Sequence, residues 1–199
     1  MPKTKEQFEQ MKRERVEKIY SAALYLFSLN SFSAVTSDEI TKEVGCSHGL
    51  LYHYFSSKEE LFSSLVSNVA LKLDEEIKSS VDFSLGPKEL IKSLLDAYLN
   101  ALRSPRDDYA CAIQLLLNLY ISYRSMNNPK GEFKFTMFED FYSTIEKGQK
   151  EGVFKEDATL DLTVSLMAIL KGLSYNRINL GYNKCTIPNS GILMRLLLK

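Results

Sequence analysis

A chain of 199 residues has room for a small domain and a larger one, since a typical domain holds about 100 to 150 residues, and its 45% hydrophobic content suits a packed globule. Its 25 Lys and Arg balance its 25 Asp and Glu, which excludes a body that gathers polyanions by bulk positive charge. No apolar run reaches the roughly 18 residues of a membrane span, the N-terminus lacks a secretory apolar core, and three cysteines (Cys46, Cys111 and Cys185) are too few for a disulfide framework, so a cytoplasmic location is expected.

In chain order, the opening MPKTKEQFEQMKRERVEK interleaves Lys3, Lys5, Lys12, Arg13, Arg15 and Lys18 with Glu6, Glu9, Glu14 and Glu17. That alternation reads as a solvated helix face, with Lys3 and Lys5 placed to reach a neighbouring phosphate. The apolar AALYLFSLNSF follows.

The next stretch, TSDEITKEVGCSHGLLYHYFSSK from Thr36 to Lys58, carries three helix starts. A helix leaves its first N–H groups without partners, and Ser or Thr followed three residues later by Glu satisfies them reciprocally. Thr36 with Glu39 fits that box, and Ser57 with Glu60 fits a second one. Ile40 and Val44 share a face, and Gly45 is the residue type that tolerates the left-handed end of a helix. Ser47 then caps another helix, so two short helices joined by a tight turn are predicted.

Stepping 100 degrees per residue from Leu51, Phe55 falls beside it and the Leu51 side packs inward. Gly49 and His53 occupy the centre of the opposite face, with Leu50 and Tyr52 at its edges. Between Gly45 and Ser57 there is no acidic residue, so no carboxylate of that segment opposes a phosphate, and contacts to the phosphate backbone supply much of the affinity for a duplex. A face of this kind suits the groove of DNA. Cys46, His48 and His53 are metal-ligand types, but five residues separate the two histidines, about 140 degrees around a helix, and no fourth ligand lies nearby. No metal or cofactor is expected.

Residues Val16 to Leu65 resemble the DNA-binding domain of the TetR family of bacterial transcriptional regulators. The resemblance rests on AALYLFSLNSF followed by TSDEITKEVGCSHGLLYHYFSSKEELF, which is similar to the family's G-x-S-x-G-x-LYxxF-xxKEEL signature. IEKGQKEGVFKED, near the other end, resembles the family's approach to its dimerisation helices. By resemblance Thr36 and Ser47 hold phosphates at helix N-termini, Gly49 lets the backbone approach the duplex, Tyr52 and His53 touch phosphate or base edges, and Lys58 takes a phosphate. Two positions depart from the pattern. His48 stands where the family very often has Lys, which weakens a phosphate contact because an ordinary His is mostly uncharged at neutral pH. Leu50 replaces a small polar residue and favours apolar contact with a thymine methyl.

Beyond Lys58 every segment reads as helix: Lys58 to Val81, then through Arg103 after Gly86 and Pro87, from Ser104 and Pro105 through Tyr123 with a break at Asn127 to Gly131, Glu132 to Glu151, Ala158 to Leu180, and a short one after Pro188. The expected fold is all-α, with a DNA-binding helix-turn-helix domain at 1–56 joined by a long fourth helix to a larger helical bundle at 57–199. ACAIQLLLNLYIS, from Ala110, is apolar nearly all round and should form the centre of that bundle. Within it, Gln114 and Asn118 need partners; either they bond to neighbouring helices or they line a cavity and face a ligand. Tyr98, Tyr120, Tyr123, Phe138, Phe141, Tyr142 and Met167 supply surface of the kind that fills pockets. In the next helix Leu162, Leu166, Ile169 and Leu173 form one stripe, and Gly172 permits close approach of a second helix. The resemblance implies the same dimer interface and adds the segment from Ile192.

The sequence therefore reads as a homodimeric regulator that binds a two-fold operator in double-stranded DNA and is released by a small-molecule effector. The alternative is a DNA-binding protein with a filled core, controlled by a protein partner or by nothing. An enzyme is not expected, because His48 and His53 are the chain's two histidines and both fall in the DNA-facing helix.

Overall fold

The computed structural model describes residues 5–125 and 136–199, the side chains of 123–125 excepted. Lys3, the Tyr123 side chain and the break at Asn127–Gly131 lie outside the described residues. The described residues form helices α1 (Lys5–Leu29), α2 (Ser37–Val44), α3 (His48–Tyr54), α4 (Lys58–Ser80), α5 (Pro87–Arg103), α6 (Asp107–Ser125), α7 (Thr136–Lys150), α8 (Thr159–Leu180) and α9 (Ser190–Met194). An isolated antiparallel bridge pairs Phe154 with Leu198. The all-α expectation holds, and no described helix is long and apolar enough to cross a membrane.

The chain divides into two compact units, Met1–Val69 and Ala70–Lys199. The division falls inside α4, later than the boundary expected at 56/57. Its physical reason is the apolar spacing of α4's first half: Leu61, Leu65 and Val69 are buried, and the Phe62 ring meets Phe27 edge-on at 4.9 Å and Phe32 at 4.9 Å. In this unit α2 packs on α1 and α3, around Ile19, Ala23, Phe27, Ile40 and Leu51. The Tyr20 ring packs on Phe55 at 5.6 Å while its hydroxyl is hydrogen-bonded to Ser64 Oγ.

In the larger unit α5 is the hub, packing on α6, α7, α8 and α9. Pro87 sits in its first turn, where a missing N–H costs nothing, and its inward stripe (Ile91, Leu94, Leu95, Tyr98, Leu99) is nearly inaccessible. The apolar Ala110–Ser122 segment, expected at the centre, packs on α5 and α8. α6 is buried from Ala110 to Leu117, but Ile121 is half exposed, so its C-terminal turns reach the surface.

Arg177 of α8 is buried at 1% exposure. Its Nη2 donates to the Ser104 carbonyl at 3.0 Å, and Nη1 stands 2.7 Å from the Asp107 carboxylate, though out of hydrogen-bonding alignment, while Nε has no partner. The guanidinium also lies over the Tyr182 ring at 5.3 Å. Asp107→Ala would strand this cation. Breaking a fully buried pair costs about 3–5 kcal/mol; because Asp107 itself is 74% exposed, about 1–2 kcal/mol is expected here. Thermal denaturation should show a melting temperature lower by about 2–8 °C.

Candidate nucleic-acid interface

The geometry of the interface begins with its caps. Thr36 caps α2 in a complete box: its hydroxyl accepts from Glu39 N–H at 3.2 Å, and its own N–H donates to the Glu39 carboxylate at 2.8 Å. That N–H, then the Thr36 hydroxyl, hold the Glu39 carboxyl below the usual carboxylate range. Gly45 closes α2 at φ 70°, its N–H meeting the Lys42 and Thr41 carbonyls, a conformation disfavoured for residues with a Cβ. Ser47 caps α3 by accepting from Leu50 N–H at 3.3 Å.

The third start differs from expectation. Ser57 Oγ accepts from Glu60 N–H at 3.1 Å, but the Glu60 carboxylate reaches back past Ser57 to the N–H and hydroxyl of Ser56. The box is therefore shared between two serines.

The angular reading of α3 holds. Leu51 and Phe55 are buried and Leu50 is intermediate, while His48, Gly49, Tyr52 and His53 are exposed. An added Cβ on Gly49 would meet nothing within 4 Å. The imidazole of His53 stands against the Tyr54 ring at 5.2 Å, and that of His48 lies 6.2 Å from Tyr52.

What the sequence did not reveal is how these groups are held. The carboxylate of Asp38, from the first turn of α2, contacts His48 Nε2, so a carboxylate does reach the segment that is acid-free in sequence. Ser37 Oγ and the Tyr52 hydroxyl are hydrogen-bonded at 3.0 Å. Lys58 Nζ donates to the carbonyls of Phe32 at 2.9 Å and Val35 at 2.7 Å and sits 4.3 Å over the Phe32 ring. Two of the ammonium's three donors thus tie down the α1–α2 connection. No spacing rule signals these pairings, which link residues 10, 15 and more than 20 apart.

In the larger unit the expected ligand residues pack on one another. Tyr98 and Phe141 are buried with rings 5.9 Å apart, and burial pushes the Tyr98 phenol far up. Phe138 stacks on Tyr120 at 4.6 Å and on Tyr142 at 5.9 Å. Met167 is buried. Gln114 takes the first of its two alternatives: its Oε1 accepts from Ser174 of α8 at 2.7 Å and its Nε2 donates to Asn118 at 3.4 Å. A cleft of about 590 Å³ runs along α4, α5 and α6, and none of these eight residues lines it.

The expected dimer stripe turns inward. Leu166 is fully buried and Leu162, Ile169 and Leu173 are half-buried, with α5, α6 and α7 packed on α8. Gly172, expected at the interface, is exposed, and Val164, Ala168 and Tyr175 are exposed beside it, within about 80 degrees of arc. Ile192 of α9 is also exposed.

Residues 19–65 match the model of a family described as bacterial regulatory proteins, tetR family. The uncharacterized HTH-type transcriptional regulator YxaF of Bacillus subtilis (strain 168) is 38% identical over 158 residues, covering 78% of this chain and 81% of that one. The HTH-type transcriptional regulator HbdR of Aromatoleum sp. (strain CIB) is 31% identical over 94 residues, covering 47% of this chain; the matched stretch spans 41% of HbdR, and two similar relatives from Mycobacterium tuberculosis are likewise spanned over 46% of their length. Among solved structures, the ketosteroid transcriptional regulator KstR2 of Mycobacterium tuberculosis superposes with a TM-score of 0.63 at 18% identity, over 93% of this chain and 95% of that one. A TetR-like regulator from Rhodococcus sp. RHA1 superposes with 0.62 at 19% identity, over 92% of each. These likenesses, at such identity, concern the fold.

Proposed function

Since the chain belongs to the TetR family of bacterial regulatory proteins and is a DNA-binding regulator of transcription of the helix-turn-helix type, we propose that it is a homodimeric repressor of a palindromic operator, released by a small-molecule effector. The observation that carries this reading is α3: a short helix capped by Ser47 whose outward face of His48, Gly49, Tyr52 and His53 is exposed, as a helix that enters a major groove requires. Thr36, Ser47 and Lys58 lie at the helix ends around it and are proposed to meet the phosphates, with Leu50 at the face's edge. Two copies reading half-sites about 34 Å apart account for an operator of two-fold symmetry.

The outer face of α8 supports the dimer. Val164, Ala168 and Gly172 are small or apolar and carry no charge, Tyr175 adds an aromatic, and a second copy of α8 laid across them removes that apolar area from water. An effector in the larger unit weakens DNA binding only as far as it prefers one arrangement of the dimer over another. The closed packing around Gln114 and the interior rings favours a second reading, a filled core with control by a protein partner or by none.

The test uses the duplex that the protein enriches from a random-sequence pool. An inverted repeat is expected in it, with a dimer in sedimentation at micromolar concentration. Ala168→Arg should give a monomer and lower affinity for that duplex by about tenfold or more, since every 1.4 kcal/mol lost is tenfold. A wild-type monomer, or an enriched sequence without two-fold symmetry, would overturn the dimeric repressor.

A further inference from the structure

The cleft along α4, α5 and α6 lies wholly within the larger unit, and its volume of about 590 Å³ is in the range of small-molecule sites, about 300–1,000 Å³. Ile77, Ala97 and Ala101 give it apolar wall, and the half-buried Tyr109 gives it an aromatic one. Three carboxylates (Glu76, Glu89 and Asp96) and two cations (Lys92 and Arg106) line it. Both cations are already matched. Lys92 Nζ stands 2.7 Å from the Asp96 carboxylate, and Arg106 makes a two-pronged contact with Asp108, which is outside the lining. The lining thus carries one carboxylate more than it has cations, and Arg106, held first by Asp108, is shared with Glu76.

The chain itself displays what the aromatic wall accepts. The Arg106 guanidinium lies over the Tyr109 ring at 4.9 Å, and Glu76 lines the same cleft. A planar cation on a ring, with a carboxylate alongside, is the arrangement that cation–π attraction favours. Arg106 is 64% exposed, so its side chain can leave the ring without unpacking any core.

We propose that this cleft is a binding site for a small organic cation of the arylamidinium or arylguanidinium class, which takes the place of Arg106 over Tyr109, directs its charge to Glu76, and lays its apolar body on Ile77, Ala97 and Ala101. Arg106 acts as an internal competitor. That this site is where the effector acts rests on the ligand-released repressor reading; that it binds such a cation does not.

The experiment titrates the full chain with benzamidinium, and in parallel with benzoate, which has nearly the same shape and the opposite charge. Dissociation constants are measured calorimetrically without DNA. Benzamidinium is expected to bind and benzoate to bind far more weakly. Glu76→Gln should weaken benzamidinium about fivefold or more, whereas Arg106→Ala should tighten it about threefold to tenfold, the scale of one partly desolvated cation–π contact. Melting curves check that both surface variants remain folded. No binding of benzamidinium, equal binding of benzoate, or an Arg106→Ala variant that binds no more tightly would each overturn the site. The enriched duplex separates the two readings. Benzamidinium that binds as expected and leaves the DNA complex intact removes the effector role and keeps the site. A molecule that releases DNA while ignoring Glu76 and Arg106 removes this cleft as the effector's place and keeps the repressor.

Discussion

Gly49→Glu is expected to abolish operator binding while leaving the fold as stable as before or slightly more so. Gly49 is exposed in the first turns of α3, and a Cβ there meets nothing within 4 Å. Replacing a helical Gly recovers up to about 1 kcal/mol of helix propensity. The carboxylate, however, stands at the centre of the exposed side of α3, the side proposed to meet bases and phosphates, where like charge costs several kcal/mol. Counting only about 1.4 kcal/mol, a factor of ten, per half-site, a dimer loses about a hundredfold. Fluorescence anisotropy on the enriched duplex measures the loss, and a melting curve measures the stability. Affinity within about threefold of wild type, about 0.65 kcal/mol, would show that α3 does not present this face to DNA.

Gly148→Ala is expected to be the most destabilising single methyl in the larger unit. A Cβ at Gly148 would stand 2.2 and 2.3 Å from the Cδ2 and Cε2 atoms of Phe154, a ring with no exposure at all. The ring cannot simply retreat, because the Gly148 carbonyl accepts from Val153 N–H at 2.8 Å and Phe154 N–H at 3.3 Å, fixing the turn that carries it. Overpacking costs about 1–3 kcal/mol, and a contact this short belongs at the top of that range. The melting temperature should fall by about 6–12 °C. Phe154→Leu alone destabilises by opening space, yet combined with Gly148→Ala it should relieve the clash, so the double variant loses less than the two single losses added. Strict additivity would mean that the ring and Gly148 do not compete for the same volume.

This contact explains why IEKGQKEGVFKED was recognisable as a segment. Gly148 makes room for Phe154, Gly152 takes a φ of 72°, and Gln149 donates to the carbonyls of Lys155 and Asp157, so the residue types follow from a local fold. The same holds for Thr36, Gly45 and Ser47, whose roles are local and therefore legible. Contacts between distant residues left no such trace. Gln114 announced that an amide in an apolar helix needed a partner, but not that the partner was Ser174 on α8. On α8 a wheel could not choose between the Leu166 stripe and the Val164 stripe, since both are apolar; only the packing of α6 and α7 decides which one faces out. Asp38, ten residues before His48, lies outside the acid-free stretch and returns to it through the turn.

Under the proposed reading, the pairings at the surface of the smaller unit govern how DNA can be met. The Thr36 hydroxyl is engaged with Glu39, Tyr52 with Ser37, His48 with Asp38 and Lys58 with two carbonyls. A phosphate or base edge arriving at Thr36, Tyr52 or His48 replaces an existing partner and so gains less than it would from an idle donor, whereas Lys58 keeps one donor beyond its two carbonyls. In return the side chains are already ordered, and little freedom is lost on docking. Sequences that can complete every replacement are then separated from those that cannot chiefly by how long the complex lasts, with encounter rates varying much less among them.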